Sequence, residues 1–184
     1  MEDETKNEAG GDARYFTPTV PRPSRGGPET KIFAVKKIAE LLDSLTKDAP
    51  LEDDERNEIS NDLFSYNDGY RAARHLDSRY GWEIDALMVQ SLDEIDGINQ
   101  AAHLAAIKEW VRALTSLPRP LEKGARVGFF DNGKIVWGRI YNVDADTWRC
   151  TINVPELGHR PFDSQGVGVI GRLVNFEGII IEKN

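Results

Sequence analysis

VGFFDNGKIVWGRI, Val127 to Ile140, decides how the second half of this 184-residue chain folds. Two apolar runs flank Asn132-Gly133, and Asn-Gly supplies the two positive-φ positions that a two-residue hairpin turn requires. A turn at that point sets the register: Phe130 opposite Ile135, Phe129 opposite Val136, Gly128 opposite Trp137. Paired residues share a face, and faces alternate along each strand. One face then holds Val127, Phe129, Val136, Gly138 and Ile140, which suit a core. The other holds Arg126, Phe130, Ile135, Trp137, Arg139 and Tyr141, and Gly128 leaves a dip beside Trp137.

The strand pattern continues downstream. Tyr141 to Val143 extends the second strand, and Asp144-Ala145-Asp146 turns the chain. TWRCTINV (147–154) alternates and puts Trp148, Cys150, Ile152 and Val154 on one core-directed face. A loop containing Pro155 and Pro161 comes next, and the stretch from Gly166 to Ile181 supplies one or two more strands. Five short strands in about 60 residues predict a small antiparallel SH3-like β-barrel over 118–184.

Within that region Gly166, Gly168 and Gly171 spell G-x-G-x-x-G. A dinucleotide fingerprint needs a helix after the glycines and an acidic residue about 20 positions on. Here RLVNFEGIII comes after them, which is β-branched and apolar. The glycines therefore read as small residues in a bent strand.

Upstream, residues 29–117 predict three to four helices, so the class is α+β. Gly27-Pro28 marks a helix start, with Ile32, Val35, Ile38 (or Ala39), Leu42 and Leu45 as its apolar stripe and Ala49-Pro50 as its stop. Ile59, Leu63, Tyr66, Tyr70 and Ala73 are spaced as one stripe on a single helix, although Asn67-Asp68-Gly69 inside it is a turn signal. Tyr80-Gly81 closes that segment, and a short helix runs from Trp82 to Gln90. Ser91-Leu92-Asp93-Glu94 spells a capping box. The helix after it carries Ile95, Ile98, Ala102, Ala105, Trp110, Leu114 and Leu117, and its alanines permit close approach of a neighbour. Residues 1–28 are rich in Gly, Pro and charge and predict an extended or disordered tail. Tyr15, Phe16 and Val20 are its anchors if a partner holds it.

Composition limits the function. The net charge is −8, and residues 51–100 carry thirteen acids against four bases, whereas 121–184 hold eight of each. This argues against a generic grip on nucleic acid, which needs clustered cations. The single cysteine, Cys150, allows no intrachain disulfide and no Cys-rich metal site. The polar, acidic N-terminus lacks a signal-peptide pattern, and no apolar run is long enough to span a bilayer. These features predict a soluble protein in the cytoplasm, or within a viral or cytoplasmic assembly. His75, His103 and His159 are scattered, and His75 has Arg74 and Asp77 as possible neighbours. No catalytic residue, cofactor site or metal site is expected.

The residues that combine chemistry with exposure are Phe130, Trp137, Arg139, Tyr141 and Arg126. Aromatics beside arginine are common energetic centres of protein interfaces. The competing expectation is that this face packs on the helical region with its arginines at the rim. Tyr15 and Phe16 join the partner-binding set. Asp53, Asp54 and Glu55 form an acidic surface, either a solvated helix end or a negative patch that occupies a basic site on a partner. The sequence thus predicts a non-catalytic interaction or assembly protein bound to a larger partner. Its alternatives are an acidic inhibitor or nucleic-acid mimic, of a kind a virus could encode, and an accessory subunit of an enzyme.

Overall fold

In a computed structural model of the chain, residues 13–114, 121–154 and 171–181 are described. The prolines at 118, 120, 155 and 161, Leu117, His159, and the glycines at 166 and 168 lie outside them. Five helices precede most of an antiparallel sheet, so the class is α+β. The chain divides into a helical unit, Pro21–Ala113, and a sheet unit that joins residues up to Val20 with those from Leu114 onward.

The helical unit contains α1 (Pro28–Leu45), α2 (Asp53–Leu63), α3 (Gly69–Tyr80), α4 (Ala86–Leu92) and α5 (Glu94–Ala113). α1 starts at Pro28, as Gly27-Pro28 indicates, but its buried face is Thr30, Ala34, Ile38 and Leu42. Ile32, expected inside, is 72% exposed. The expected and observed stripes share Ile38 and Leu42, so periodicity alone leaves the first two turns ambiguous. Packing resolves it: Ile38 and Leu42 join one core with Ile59 and Leu63 of α2, and on the same face the Thr30 hydroxyl donates to the Ser24 carbonyl at 2.8 Å.

The single helix expected across Ile59 to Ala73 is in fact two. Asp68 caps α3 by accepting from the Arg71 N–H at 3.0 Å, and the Gly69 N–H donates to Asp93 Oδ1 at 2.8 Å. The carbonyls of Phe64 and Tyr66 accept from Asn99 Nδ2, each at 3.1 Å. A side chain from α5 thereby satisfies carbonyls at the helix end, which otherwise need partners of their own. Tyr70 leaves the stripe and is exposed. Gly81, at φ 71°, ends α3 in the left-handed conformation that favours glycine.

The capping box is not formed either. Ser91 lies inside α4, where its hydroxyl donates to the Leu87 carbonyl, so it cannot hold the extended backbone of a cap. Asp85 caps α4 instead, accepting from the Met88 N–H at 2.7 Å. α5 packs along α1 with Ala102 and Ala106 buried. It ends at Ala113, so Leu114 stands outside it.

Part of the expected tail is held on the helices. The Arg22 guanidinium lies 4.8 Å from the centre of the Trp110 ring, His103 Nε2 is 3.1 Å from the Pro23 carbonyl, and Arg25 pairs with Asp96. All three partners lie on α5, which is why a stretch without a core of its own takes a defined course.

The sheet unit contains β1 (Ala13–Arg14), β2 (Arg126–Asp131), β3 (Lys134–Asp144), β4 (Arg149–Asn153), β5 (Arg172–Asn175) and β6 (Ile180–Ile181), in the order β1-β6-β2-β3-β4-β5. The β2–β3 register is the one read from the sequence, with Phe130 opposite Ile135 and Gly128 opposite Trp137. Asn132 and Gly133 have φ of 49° and 78°, as the turn demands. A bulge between Ile140 and Asn142 bends β3. The third strand begins later than expected, because Trp148 sits in the turn at φ 51°. The Asp144 carboxylate shapes that turn by accepting from the N–H groups of Asp146 and Thr147.

Among the described residues the sheet does not close into a barrel, and β1 and β5 are its edges. Instead of a ladder, a cavity of about 540 Å³ separates β5 from β2. Strand β6 has only two residues and takes its second partner from the tail, so the ladder ends on β1. The core combines Val127, Phe129, Ile140, Trp148, Cys150, Ile152 and Val154 with Phe176 and Ile179. Phe176 opens a 3₁₀ turn, Phe176–Gly178, between β5 and β6. From Gly171 to Ile181 the chain therefore runs as strand, 3₁₀ turn and strand. Gly171 stands so close to β4 that a Cβ there would clash with the Thr151 side chain.

Candidate interaction face on the β2–β3 hairpin

The hairpin sorts its side chains as alternation requires. Val127, Phe129, Gly138 and Ile140 are buried, and Val136 is half-buried. On the opposite face Phe130 is 62% exposed, Tyr141 is exposed, and Ile135 and Trp137 are half-buried. Arg126 and Arg139 are exposed and directly opposite each other in the ladder.

Like charges in directly opposed positions disfavour a sheet. The two arginines find different neighbours. Arg126 places its guanidinium 5.1 Å from the centre of the Trp137 ring, and Arg139 Nη1 donates to the Gly124 carbonyl at 3.0 Å. Both residues remain exposed. The sequence reading missed Lys123, whose ammonium stands 5.0 Å from the centre of the Tyr141 ring. Its place just before the strand hides it from any alternation argument. Arg126 and Lys123 thus each stand over an aromatic ring, with Arg139 exposed opposite Arg126 in the ladder.

Gly128 does not leave a dip. A Cβ there would lie 3.1 Å from Ile135 Cγ2 and 3.3 Å from Trp137 Cδ2, so neighbouring side chains already cover it. The glycine lets the indole lie down on the strand and half-buries it.

The cavity beside β5 adds to this surface. Phe129, Phe130, Asp131, Arg172 and Leu173 contribute to its lining, and Arg172 Nη2 meets Asp131 Oδ2 at 3.4 Å. Leu173 is 63% exposed and shares the cavity with Phe130. It went unread because the strand that carries it is too short to show a pattern.

Tyr15 and Phe16 sit elsewhere. The Tyr15 N–H donates to the Ile179 carbonyl at 2.9 Å, its ring lies 6.0 Å from that of Phe176, and Phe16 meets Trp148 edge-on at 6.2 Å. Burial raises the Tyr15 phenol above its ordinary value. Both rings are half-buried on their own sheet.

Asp53, Asp54 and Glu55 are exposed in the first turn of α2, where negative charge favours the positive end of the helix dipole. Asp53 also pairs with Arg56, which reaches Asp43 at 3.1 Å.

The His75 side chain meets neither Arg74 nor Asp77. Its Nε2 lies 3.2 Å from Asp62 Oδ2 of α2, which also accepts from the Tyr80 hydroxyl at 2.9 Å and meets Arg79 Nη1 at 3.1 Å. The Tyr80 hydroxyl bond, with His75 and Arg79, holds the Asp62 carboxyl below its usual range, and burial pushes the Tyr80 phenol up to about 12. A carboxyl lowered on folding stabilises above its unfolded pKa and loses that contribution as pH falls through the folded value. Asp62→Asn is therefore expected to flatten the acid limb of a stability–pH curve, while an unchanged limb would show that this cluster contributes nothing.

Burial pushes the Cys150 thiol up to about 12. A thiol-specific reagent at neutral pH should leave it unmodified in the folded chain and label it on denaturation, since the thiolate is the reactive form. Fast labelling of the native chain would contradict its buried position. Among the described residues no group of three or more His, Cys, Asp or Glu is placed to hold a metal ion, and no helix is long and apolar enough to cross a membrane. No protein family, curated protein or solved structure matches this chain.

Proposed function

We propose that this chain is a non-catalytic interaction or assembly protein that meets a larger protein partner through the exposed face of the β2–β3 hairpin. One observation carries the reading: Phe130 and Tyr141 stand exposed beside Arg126, Arg139 and Lys123 on a paired, antiparallel hairpin. Strand-borne side chains need little ordering on binding, and aromatic and arginine anchors are where interface energy concentrates. The surrounding cations suit a partner surface with acidic groups near an apolar pocket. The sheet itself is proposed as an incompletely closed SH3-like barrel. Supporting this are its β2-β3-β4-β5 meander and the 3₁₀ turn after which β6 returns to pair with β2. Soluble, cytoplasmic residence or residence within a larger assembly fits the same reading.

Phe130→Ala with Arg139→Ala is expected to weaken capture of the native partner by at least about tenfold, the loss of about 1.4 kcal/mol. The melting temperature should hold, because both side chains are exposed. Undiminished capture by a folded double variant would refute the proposal.

A second reading rests on the exposure of Asp53, Asp54 and Glu55 at the start of α2. As an acidic inhibitor, the chain would bind a basic site with steep salt dependence. Replacing all three by Lys should then abolish binding and leave the hairpin variants inert.

A further inference from the structure

The helical unit carries a second surface that neither reading uses. A groove of about 820 Å³ runs between α1 and α5. Its lining combines Ile32 and Phe33 on α1 with Gly97, Ala101 and Ala105 on α5. Ile32 is 72% exposed and Phe33 37%, so two large apolar side chains stand out of the surface beside a row of small ones. Charge is mixed at the same place, with Lys36 and Lys37 on α1 and Glu94 on α5. Lys37 also pairs with Glu40 within α1.

This face contains both halves of a helix-packing contact. Projecting side chains need recesses on the facing helix, and small residues provide them by letting backbones approach. Any partner must supply the complement of both, recesses for Ile32 and Phe33 and side chains for the row of small residues. A second copy supplies both, because a two-fold contact sets residue i against residue j and j against i. The charges obey the same rule: lysines on one helix and a carboxylate on the other can answer each other across a two-fold axis. A groove shaped for an unrelated acidic helix would have no use for Glu94.

We infer that the α1–α5 groove is a self-association surface, in which Ile32 and Phe33 of each copy insert against Gly97, Ala101 and Ala105 of the other. Lys36 and Lys37 of each copy then face Glu94 of the other. The result is a two-fold pairing of helical units into a four-helix contact. It leaves the hairpin proposal untouched, since it uses none of the same residues.

Sedimentation equilibrium on the full chain tests this. A mass rising toward twice 20.6 kDa across the micromolar range is expected. Ile32→Glu and Ala101→Glu, both at exposed positions, should each raise the dissociation constant at least tenfold with unchanged circular dichroism and melting temperature. Glu94→Lys should weaken pairing, and Glu94→Lys combined with Lys36→Glu and Lys37→Glu should restore it. A chain that stays monomeric throughout, or one whose dimer ignores both glutamate substitutions, overturns the inference. So does a monomer that captures a foreign helix in the groove. Failure of the charge restoration with both glutamate effects intact would overturn the proposed Lys–Glu pairing.

Discussion

Phe176→Ala is expected to destabilise the sheet unit by about 3–5 kcal/mol, the range for emptying a fully buried aromatic site. Phe176 is completely buried, and its ring centre lies 4.8 Å from that of Trp148 and 6.0 Å from that of Tyr15. Its N–H donates to the Trp148 carbonyl at 3.2 Å, which anchors the 3₁₀ turn to the residue held at φ 51°. The ring thus packs on Trp148 and on the tail at Tyr15, while the backbone bond, which alanine keeps, holds the turn. With total stability commonly about 5–15 kcal/mol, such a loss threatens the unit as a whole. Denaturant unfolding followed by tryptophan fluorescence measures it, and limited proteolysis near Arg14 reports whether β1 is released. A loss below about 1 kcal/mol would show that the site collapses around the missing ring or that the tail does not depend on it.

Gly138→Val is expected to have a comparable or larger effect, a loss of about 3 kcal/mol or more from overpacking. A Cβ at Gly138 would lie 2.5 Å from the Asn153 carbonyl oxygen and 2.5 Å from Ile152 Cγ2. The first is backbone of β4, so it cannot turn aside as a flexible side chain would. The β3–β4 ladder must shift to admit any side chain, and the branched valine adds to the crowding. Gly26→Ala is the control, because nothing lies within 4 Å of the added carbon. Expression yield, circular dichroism and urea midpoints of the two variants should separate widely. A Gly138→Val chain with a wild-type midpoint would mean that the ladder yields at little cost.

The two halves of the molecule were unequally legible. In the hairpin, local chemistry and tertiary structure agree. Asn132-Gly133 permits the tight turn, the turn sets the register, and register assigns every side chain to a face. The exposed face of the hairpin could be named residue by residue for that reason, although Lys123 and Leu173 could not. In the helices local patterns compete. Ile59 to Ala73 satisfies one continuous stripe, yet Asn99, more than thirty residues away, takes the carbonyls of Phe64 and Tyr66 and favours a break. Ser91 to Glu94 has the letters of a cap, yet Ser91 is already helical. The tail reads as unable to order itself, and it does not do so unaided. Ala13–Phe16 borrows β6 and two buried rings, and Arg22, Pro23 and Arg25 borrow side chains from α5.

By itself, the sequence determined the class, the hairpin, its register and the composition of its exposed face. Each of these depends on contacts between residues close in the chain, where turn geometry and alternation leave few options. Only the tertiary structure decided the rotation of α1, the division between α2 and α3, the open sheet and the course of the tail. In each of those the backbone groups are satisfied, or the faces chosen, by partners far away in sequence. A groove with Ile32 on its rim exists for the same reason: packing, and not periodicity, selected which side of α1 was left outside.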